Sequence, residues 1–285
     1  MNGEAETVRV RRLFGRLEAI HTVAYFAPHV LDVQQQHGFT DVSVGYVAGR
    51  SAPLGRVPAE VVTALFYSFA PRVIAKAIPH AYTIAEPHET LAMTLQSVGD
   101  VLEPLFSDLV ALPDVADEAY AAAQLHPLAG APLGAAWASV GPSDKPAVKL
   151  WQAATIIRET RGDMHIALLM SHGLDPVEAH LTTRGDTPKV REIIGQQRLI
   201  TGDEFDAAVT RLQQRGLLGD DGALTTAGEA LRATIEADTD RLMAPPWQAF
   251  GELRAAALID RLDPFVTRII EAKLVPGIVA RAASV

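Results

Sequence analysis

Two arginines and a histidine recur at helical spacing near the middle of the chain. On a helix, Trp151, Arg158 and His165 are seven residues apart and share one face, and Arg161 lies between the last two. Guanidinium groups hold carboxylates and phosphates through paired hydrogen bonds. The pattern therefore predicts a binding site for an anionic ligand, and Gly162 would let a ligand or another backbone come close.

A structural network explains the same pattern. Glu159 and Asp163 lie on the same predicted helix and can neutralise its arginines. Buried guanidinium groups need anionic partners, so these acids would tie the helix to its neighbours without any ligand. Both interpretations stay open, and Asp163 is counted among the candidate ligand-binding residues.

A second polar stripe lies in the first fifty residues. His21, Tyr25 and His29 are spaced by four, and Tyr46 and Arg50 are also four apart. Two histidines and a tyrosine suggest a metal or haem. However, positions eight apart on a helix are separated by about 12 Å, too far for one small ion. The stripe instead predicts a polar pocket between helical lobes, with no metal ligand and no cofactor assigned. Its candidate ligand-binding residues are His21, Tyr25, Tyr46 and Arg50.

The elements that must position these side chains are helices. Alanine and leucine dominate the apolar residues and aromatics make up only 6%, a composition that favours helix over sheet. The absence of cysteine excludes disulfides, zinc–thiolate sites and thiol nucleophiles. The acidic start does not have the layout of a signal peptide, and no apolar run approaches the ~18–20 residues of a membrane span. We therefore expect a cytoplasmic protein with no membrane segment.

A helix, a glycine stop and a tight turn follow one another near residue 216. Residues 205–218 have helical apolar spacing that ends at Gly216, and Asp221-Gly222 is a strong hairpin signal. Helical spacing resumes at Glu229. This order resembles the recognition helix, wing and closing helix of MarR-like winged-helix proteins. We therefore expect an all-α, mainly helical fold with a small β-hairpin wing in a winged-helix-like C-terminal module.

The charges of this module disfavour DNA as a partner. Between residues 145 and 245 there are 12 Lys and Arg against 15 Asp and Glu, and the whole chain carries a net charge of −9. DNA binders usually present a basic face, because neutralising phosphates supplies most of their affinity. Here Asp203, Glu204 and Asp206 lie where the recognition helix would enter the groove, and Asp220 and Asp221 lie in the wing.

Glycine, proline and alanine are concentrated just before the 151–165 stripe, which predicts a linker there. A His-Gly pair follows a long predicted helix in each half of the chain, which fits either a degenerate duplication or chance similarity. We divide the chain into an N-terminal helical domain (1–125), a linker (126–146), a winged-helix-like domain (147–245) and a C-terminal helical tail (246–285).

The combined motifs resemble the SalK-like helix-turn-helix family of actinobacteria, from about Arg11 to Ala272. The resemblance rests on His21 with Tyr25–Pro28, Gly45-Tyr46 with Gly49-Arg50 and Ala52–Gly55, Leu150–Ala153 with Arg161–Asp163 and His165, and Ala237 with Thr239–Arg241. It implies an all-helical protein with a winged-helix unit, sometimes encoded near natural-product genes. The recurring polar positions of the family correspond to His21, Tyr25, Tyr46, Arg50, Arg161, Asp163 and His165. His29 and Met164 depart from the pattern.

Three functions are compatible with these patterns. The first is a small-molecule binding protein, accessory to natural-product biosynthesis, that holds an anionic ligand in the polar stripe. The second is a MarR-like transcription regulator that senses an effector in the same place. The third is an enzyme that uses a histidine as acid or base beside the arginines, with or without a metal or haem. The Ala- and Leu-rich helical surface is also compatible with a homodimer.

Overall fold

The computed structural model describes residues 2–283, and the side chains of residues 7–283. Within that range the chain forms sixteen α-helices, one 3₁₀ turn and no strand, as the all-α prediction requires. The helices are Asn2–Phe26 (α1), Pro28–Gln36 (α2), Val42–Ser51 (α3), Ala59–Leu65 (α4), Pro71–Ala77 (α5), Ala81–Ile84 (α6), Pro87–Leu105 (α7), Leu112–Ala123 (α8), Pro132–Ala138 (α9), Pro146–Ser171 (α10), Pro176–Arg184 (α11), Pro188–Arg198 (α12), Gly202–Gln214 (α13), Thr226–Phe250 (α14), Glu252–Glu271 (α15) and Gly277–Ala283 (α16).

Proline sets many of these helix boundaries. It occupies the first turn of α2, α5, α7, α9, α10, α11 and α12. Its fixed φ suits a first turn, where its missing N–H would have no helical partner. Pro28 therefore starts a new helix, and α1 and α2 meet at Ala27.

The larger of two hydrophobic cores is built around α1 and α10. Leu13 and Leu17 of α1 and Leu150 and Trp151 of α10 are buried there, and α8, α9 and α15 pack around the pair. The segment 126–146, which the composition predicts as a linker, contains α9. The buried side chains of this helix, including Trp137, belong to the same core.

The second core belongs to α11, α12, α13 and the first half of α14, the region of the predicted winged-helix unit. Its buried members include Leu181, Ile194, Phe205, Leu212 and Ile235, one or more from each helix. The turn between α12 and α13 passes through a left-handed residue at 199, and a capping box at 201–204 starts α13. We name these four helices the HTH module.

The predicted β-hairpin wing is wrong. Among the described residues no strand forms, and the chain between α13 and α14 makes one isolated antiparallel bridge, between Leu218 and Leu224. Gly222, with φ of +79°, makes the turn that Asp221-Gly222 predicts. The arms are too short for a ladder, because Thr225 already caps α14 through the backbone N–H of Gly228.

Two helices run through both cores. The N-terminal part of α10 lies in the larger core, and its Leu169 lies in the second. Similarly, α14 contributes Ile235 to the second core and Trp247 to the larger one. The loop 66–70 between α4 and α5 also bridges the cores: Tyr67 donates to the carbonyl of Leu174, and the backbone N–H of Ala70 donates to the carbonyl of Arg198. The cores therefore share a junction lined by α10.

Candidate functional site

A cavity of about 220 Å³ lies at the junction between the two cores. The elements around it are α1, α3, the loop 66–70, α10 and α12. Its lining combines basic and aromatic side chains with few acids. The lining residues that bear on its chemistry are Phe14, Glu18, Tyr46, Arg50, Phe66, Tyr67, Phe69, Arg158, Arg161, Gly162, His165 and Arg198.

A buried glutamate supports one side of this cavity. Glu159 is fully enclosed and accepts hydrogen bonds from Nε and Nη2 of Arg50, at 2.8 and 2.7 Å. It also accepts from Nη1 of Arg158 at 3.0 Å. Burial opposes ionisation of this carboxyl, but the charges of Arg158 and Arg50 outweigh it and hold its pKa well below the ordinary value. Glu159 is therefore a charged partner that fixes two cavity arginines.

The opposite side of the cavity is attached to α14. Arg161 Nη2 donates to Glu236 and to Asp240, each at 3.0 Å, and its guanidinium lies 4.2 Å from the centre of the Phe14 ring. Its Nε is buried with no hydrogen-bond partner. His165 hydrogen-bonds through Nδ1 to the hydroxyl of Thr239, at 2.9 Å. The Nε–H of Arg161 is therefore a buried donor without an acceptor in the described part of the chain.

Arg198 has no acidic partner among the described residues, which sets it apart from the other cavity arginines. Its guanidinium lies 3.7 Å from the centre of the Phe69 ring, and its Nε is buried without a hydrogen bond. Burial, and the positive charges of Arg50 and Arg158, lower its pKa. It ends α12, where neither apolar spacing nor a motif marks it, so the sequence patterns do not indicate it as a site residue.

The structure brings five of the nine sequence-predicted residues together at this cavity: Tyr46, Arg50, Arg158, Arg161 and His165. His21, Tyr25 and Trp151 pack in the larger core beside it. Trp151 Nε1 donates to the carbonyl of His21, at 3.0 Å, and the Tyr25 and Tyr46 rings are 4.7 Å apart. These three residues support the cavity wall and do not line the cavity.

Asp163 lies on another face of α10, against α9. Its Oδ2 accepts the backbone N–H groups of Leu133 and Gly134, at 2.9 and 3.0 Å, so it caps the start of that helix. Burial raises its pKa to about 6 despite these hydrogen bonds. A Cβ at residue 134 would lie only 2.2 Å from the hydroxyl of Thr160. This face is closely packed, and Asp163 has a structural position in it.

The outer surface of the HTH module is largely charge-neutralised. Arg191 pairs with Asp186 and Asp206, while Arg211 pairs with Asp175 and Glu178. Arg72 of α5 reaches across to Glu204 on the first turn of α13. The exposed side chains at 203, 220 and 221 are all acidic. The surface that would face DNA therefore offers few free positive charges.

Residues 7–283 contain no group of three His, Asp or Glu side chains able to hold a metal ion. No described helix is both long and apolar enough to cross a membrane.

Comparison with known proteins gives one match. Residues 10–276 match a protein-family model described as a helix-turn-helix family, which covers nearly the whole chain. No curated protein and no solved structure shows a significant match.

Proposed function

The chain belongs to this helix-turn-helix family, and from that premise we propose that it binds an anionic small molecule in the cavity between its two cores. The observation that carries the proposal is Arg198, a half-buried cation beside Phe69 whose buried Nε has no hydrogen-bond partner and which pairs with no carboxylate among the described residues. An enclosed charge without a partner is costly. A bound anion would supply that partner.

The charge balance of the cavity supports the same reading. Arg50 and Arg158 are offset by Glu159 and Glu18, while Asp240 and Glu236 on α14 are shared by Arg161, Arg11 and Arg232. Among the described residues, Arg198 is left as a cation without an acid. Arginine at such a place favours a carboxylate or phosphate, since its donors match two oxygens of either group.

The volume of the cavity and its aromatic rings limit the size and the chemical class of the ligand. About 220 Å³ is the share of roughly seven water molecules at ~30 Å³ each, so the ligand is small. Phe14, Phe66 and Phe69 each stack against an arginine of the cavity. A small planar acid would contact these rings with its apolar part. We therefore propose that the ligand is an aromatic monoacid.

The SalK-like resemblance supports a finer proposal. We propose that the chain is a SalK-like, cytoplasmic member of the family, accessory to natural-product biosynthesis. The ligand would then be an intermediate or product of such a pathway. A homodimer is part of the same proposal.

DNA-binding regulation is the second candidate, and the family match favours it. In that case the cavity would hold an effector, and α13 would enter the major groove. The acids at 203, 220 and 221 and the ion pairs of Arg191 and Arg211 count against it. Fluorescence anisotropy with a labelled duplex at several salt concentrations separates the two candidates.

Calorimetry with benzoate and benzamide tests the ligand proposal. We expect benzoate to bind the full chain and the neutral amide to bind at least tenfold more weakly, because only benzoate offsets the charge of Arg198. Arg198→Met should abolish the preference, while Arg241→Met, on the exposed part of α14, should keep it. Equal binding of both compounds, or of neither, would contradict the proposal.

A further inference from the structure

The hydroxyl of Thr239 fixes the tautomer of His165. Thr239 Oγ1 lies 2.7 Å from the carbonyl oxygen of Ile235, and two oxygens at that distance need a proton between them. The threonine hydroxyl has only one proton, which it donates to this carbonyl. Its contact with His165 Nδ1, at 2.9 Å, must then use a proton on the histidine. Nδ1 therefore carries the ring proton.

The other ring nitrogen of His165 is consequently an acceptor. No residue within 7–283 hydrogen-bonds Nε2, and the ring lines the cavity. Burial, assisted by the charges of Arg232 and Arg161, lowers the pKa of His165 to about 4, against the opposing effect of Glu236 and Asp240. The ring is neutral at pH 7, so Nε2 presents a lone pair and no proton.

His21 forms the same histidine–threonine–carbonyl arrangement at a position that does not face the cavity. Its Nδ1 contacts the hydroxyl of Thr155, at 3.0 Å, and that hydroxyl donates to the carbonyl of Trp151, at 2.8 Å. Its Nε2 is buried without a partner, 3.9 Å from Glu159, and the ring does not line the cavity. Both histidines carry the proton on Nδ1, but only His165 offers its Nε2 to a ligand.

From this geometry we infer that the ligand of the cavity is an aromatic acid that also carries a hydrogen-bond donor, a hydroxyl group on its ring, which donates to Nε2 of His165. The inference rests on the proposed function, since it needs an anion at Arg198. The acid group pairs with Arg198. Thr239 is a positioning residue, because it acts through His165 and touches no ligand.

Binding of benzoate and of the three hydroxybenzoates to the full chain tests the inference. We expect one hydroxybenzoate isomer to bind roughly threefold to tenfold more tightly than benzoate, as one added hydrogen bond allows. His165→Phe keeps a ring and removes the acceptor, so the ratio of the hydroxybenzoate affinity to the benzoate affinity should fall to about one.

The Thr239→Val variant provides a second, independent test. It frees the Nδ1 proton to move to Nε2, which turns the acceptor into a donor. The oxygen of a ring hydroxyl accepts more weakly than its O–H donates, so the ratio should fall. Thr239→Ser should restore the ratio, and His29→Phe, on exposed α2, should leave it unchanged. A fold defect would instead weaken benzoate and hydroxybenzoate alike.

The failures are distinguishable. If benzoate binds and no hydroxybenzoate binds more tightly, the inference is overturned and the anion site stands. A hydroxybenzoate preference that persists in both His165→Phe and Thr239→Val overturns the assignment to His165. If none of the four acids binds, the proposed function is overturned together with the inference.

Discussion

Two arginines on the outer surface of the HTH module have acidic partners, whereas one arginine of the cavity has none among the described residues. On the surface, Arg191 and Arg211 each contact two acids, so little positive charge is left for a phosphate backbone. In the cavity, Arg198 contacts an aromatic ring and no acid. The difference teaches that an arginine packed against an aromatic ring, without an acid, lies at the junction of the cores. Anion recognition is expected there, and the surface of α13 is a weaker place for it.

Removing the charge of Glu159 is the strongest way to test how the cavity is held together. Glu159→Gln removes the acidic partner of Arg50 and one of the two acids that contact Arg158, so we expect the free energy of unfolding to fall by about 3–5 kcal/mol. Urea denaturation followed by circular dichroism measures it. The surface counterpart Glu204→Gln, which loses Arg72, should cost under ~1 kcal/mol. Equal losses would contradict the distinction between the two regions.

Neutralising the acids of the surface tests the other half of the comparison. We expect Asp203→Asn, Asp220→Asn and Asp221→Asn together to raise non-specific affinity for duplex DNA roughly tenfold at low salt, because three repulsive charges are removed. Fluorescence anisotropy with a labelled duplex provides the measurement. If the unmodified chain already binds with a Kd below ~10⁻⁶ M at physiological salt, the surface is a DNA-binding surface and the comparison fails.

Gly162 and Gly134 distinguish the open and closed faces near α10. A Cβ at 162 would meet no atom closer than Glu159 Oε2, at 3.9 Å. Gly162→Ala should therefore stabilise the fold by about 0.5–1 kcal/mol, as alanine does inside a helix. The added methyl group would also make the cavity smaller. Gly134→Ala should destabilise it by about 1–3 kcal/mol, because its Cβ would overlap Thr160. Thermal unfolding of both variants checks the signs, and a destabilised Gly162→Ala would mean that this face is closed.

The smallest expected effect is a pH dependence at Asp163. Its pKa in the folded state is about 6, above the ordinary value of 3.8, so the folded state binds more protons than the unfolded state between these values. Stability from this group is therefore present at low pH and is lost as pH rises through that window. Asp163→Asn keeps an acceptor for Leu133 and Gly134 without the charge. The gain of the variant over the unmodified chain should grow from pH 4 to 6 and then stay level, and a constant difference would contradict the shift.

Periodicity predicted the helical fold and part of the cavity. Arg158, Arg161 and His165 share a helical face, and the structure places them at one cavity with Arg50. Spacing within one helix determines this arrangement, because residues three, four and seven apart are neighbours wherever the helix packs. The capping and turn signals near α13 predicted local geometry for the same reason.

The rest depends on which helices meet. Trp151 shares the heptad spacing of Arg158 and His165, but it lies under α1 in the larger core, and spacing cannot indicate how far along α10 the cavity extends. Arg198 enters the site from α12 because the loop 66–70 packs against it, a contact between residues more than a hundred positions apart. The wing was overpredicted because Asp-Gly specifies a turn without specifying the length of its arms.

The passage of α10 and α14 through both cores has a consequence for modularity. A DNA-binding domain joined by a flexible linker can be removed, exchanged or repeated without affecting the folding of the neighbouring domain. Here a fragment confined to the second core would have to end within α10 and α14. If it kept both helices whole, it would expose to water the apolar residues that pack in the larger core, such as Trp247. We expect the two cores to unfold in a single transition, because together they form one folding unit.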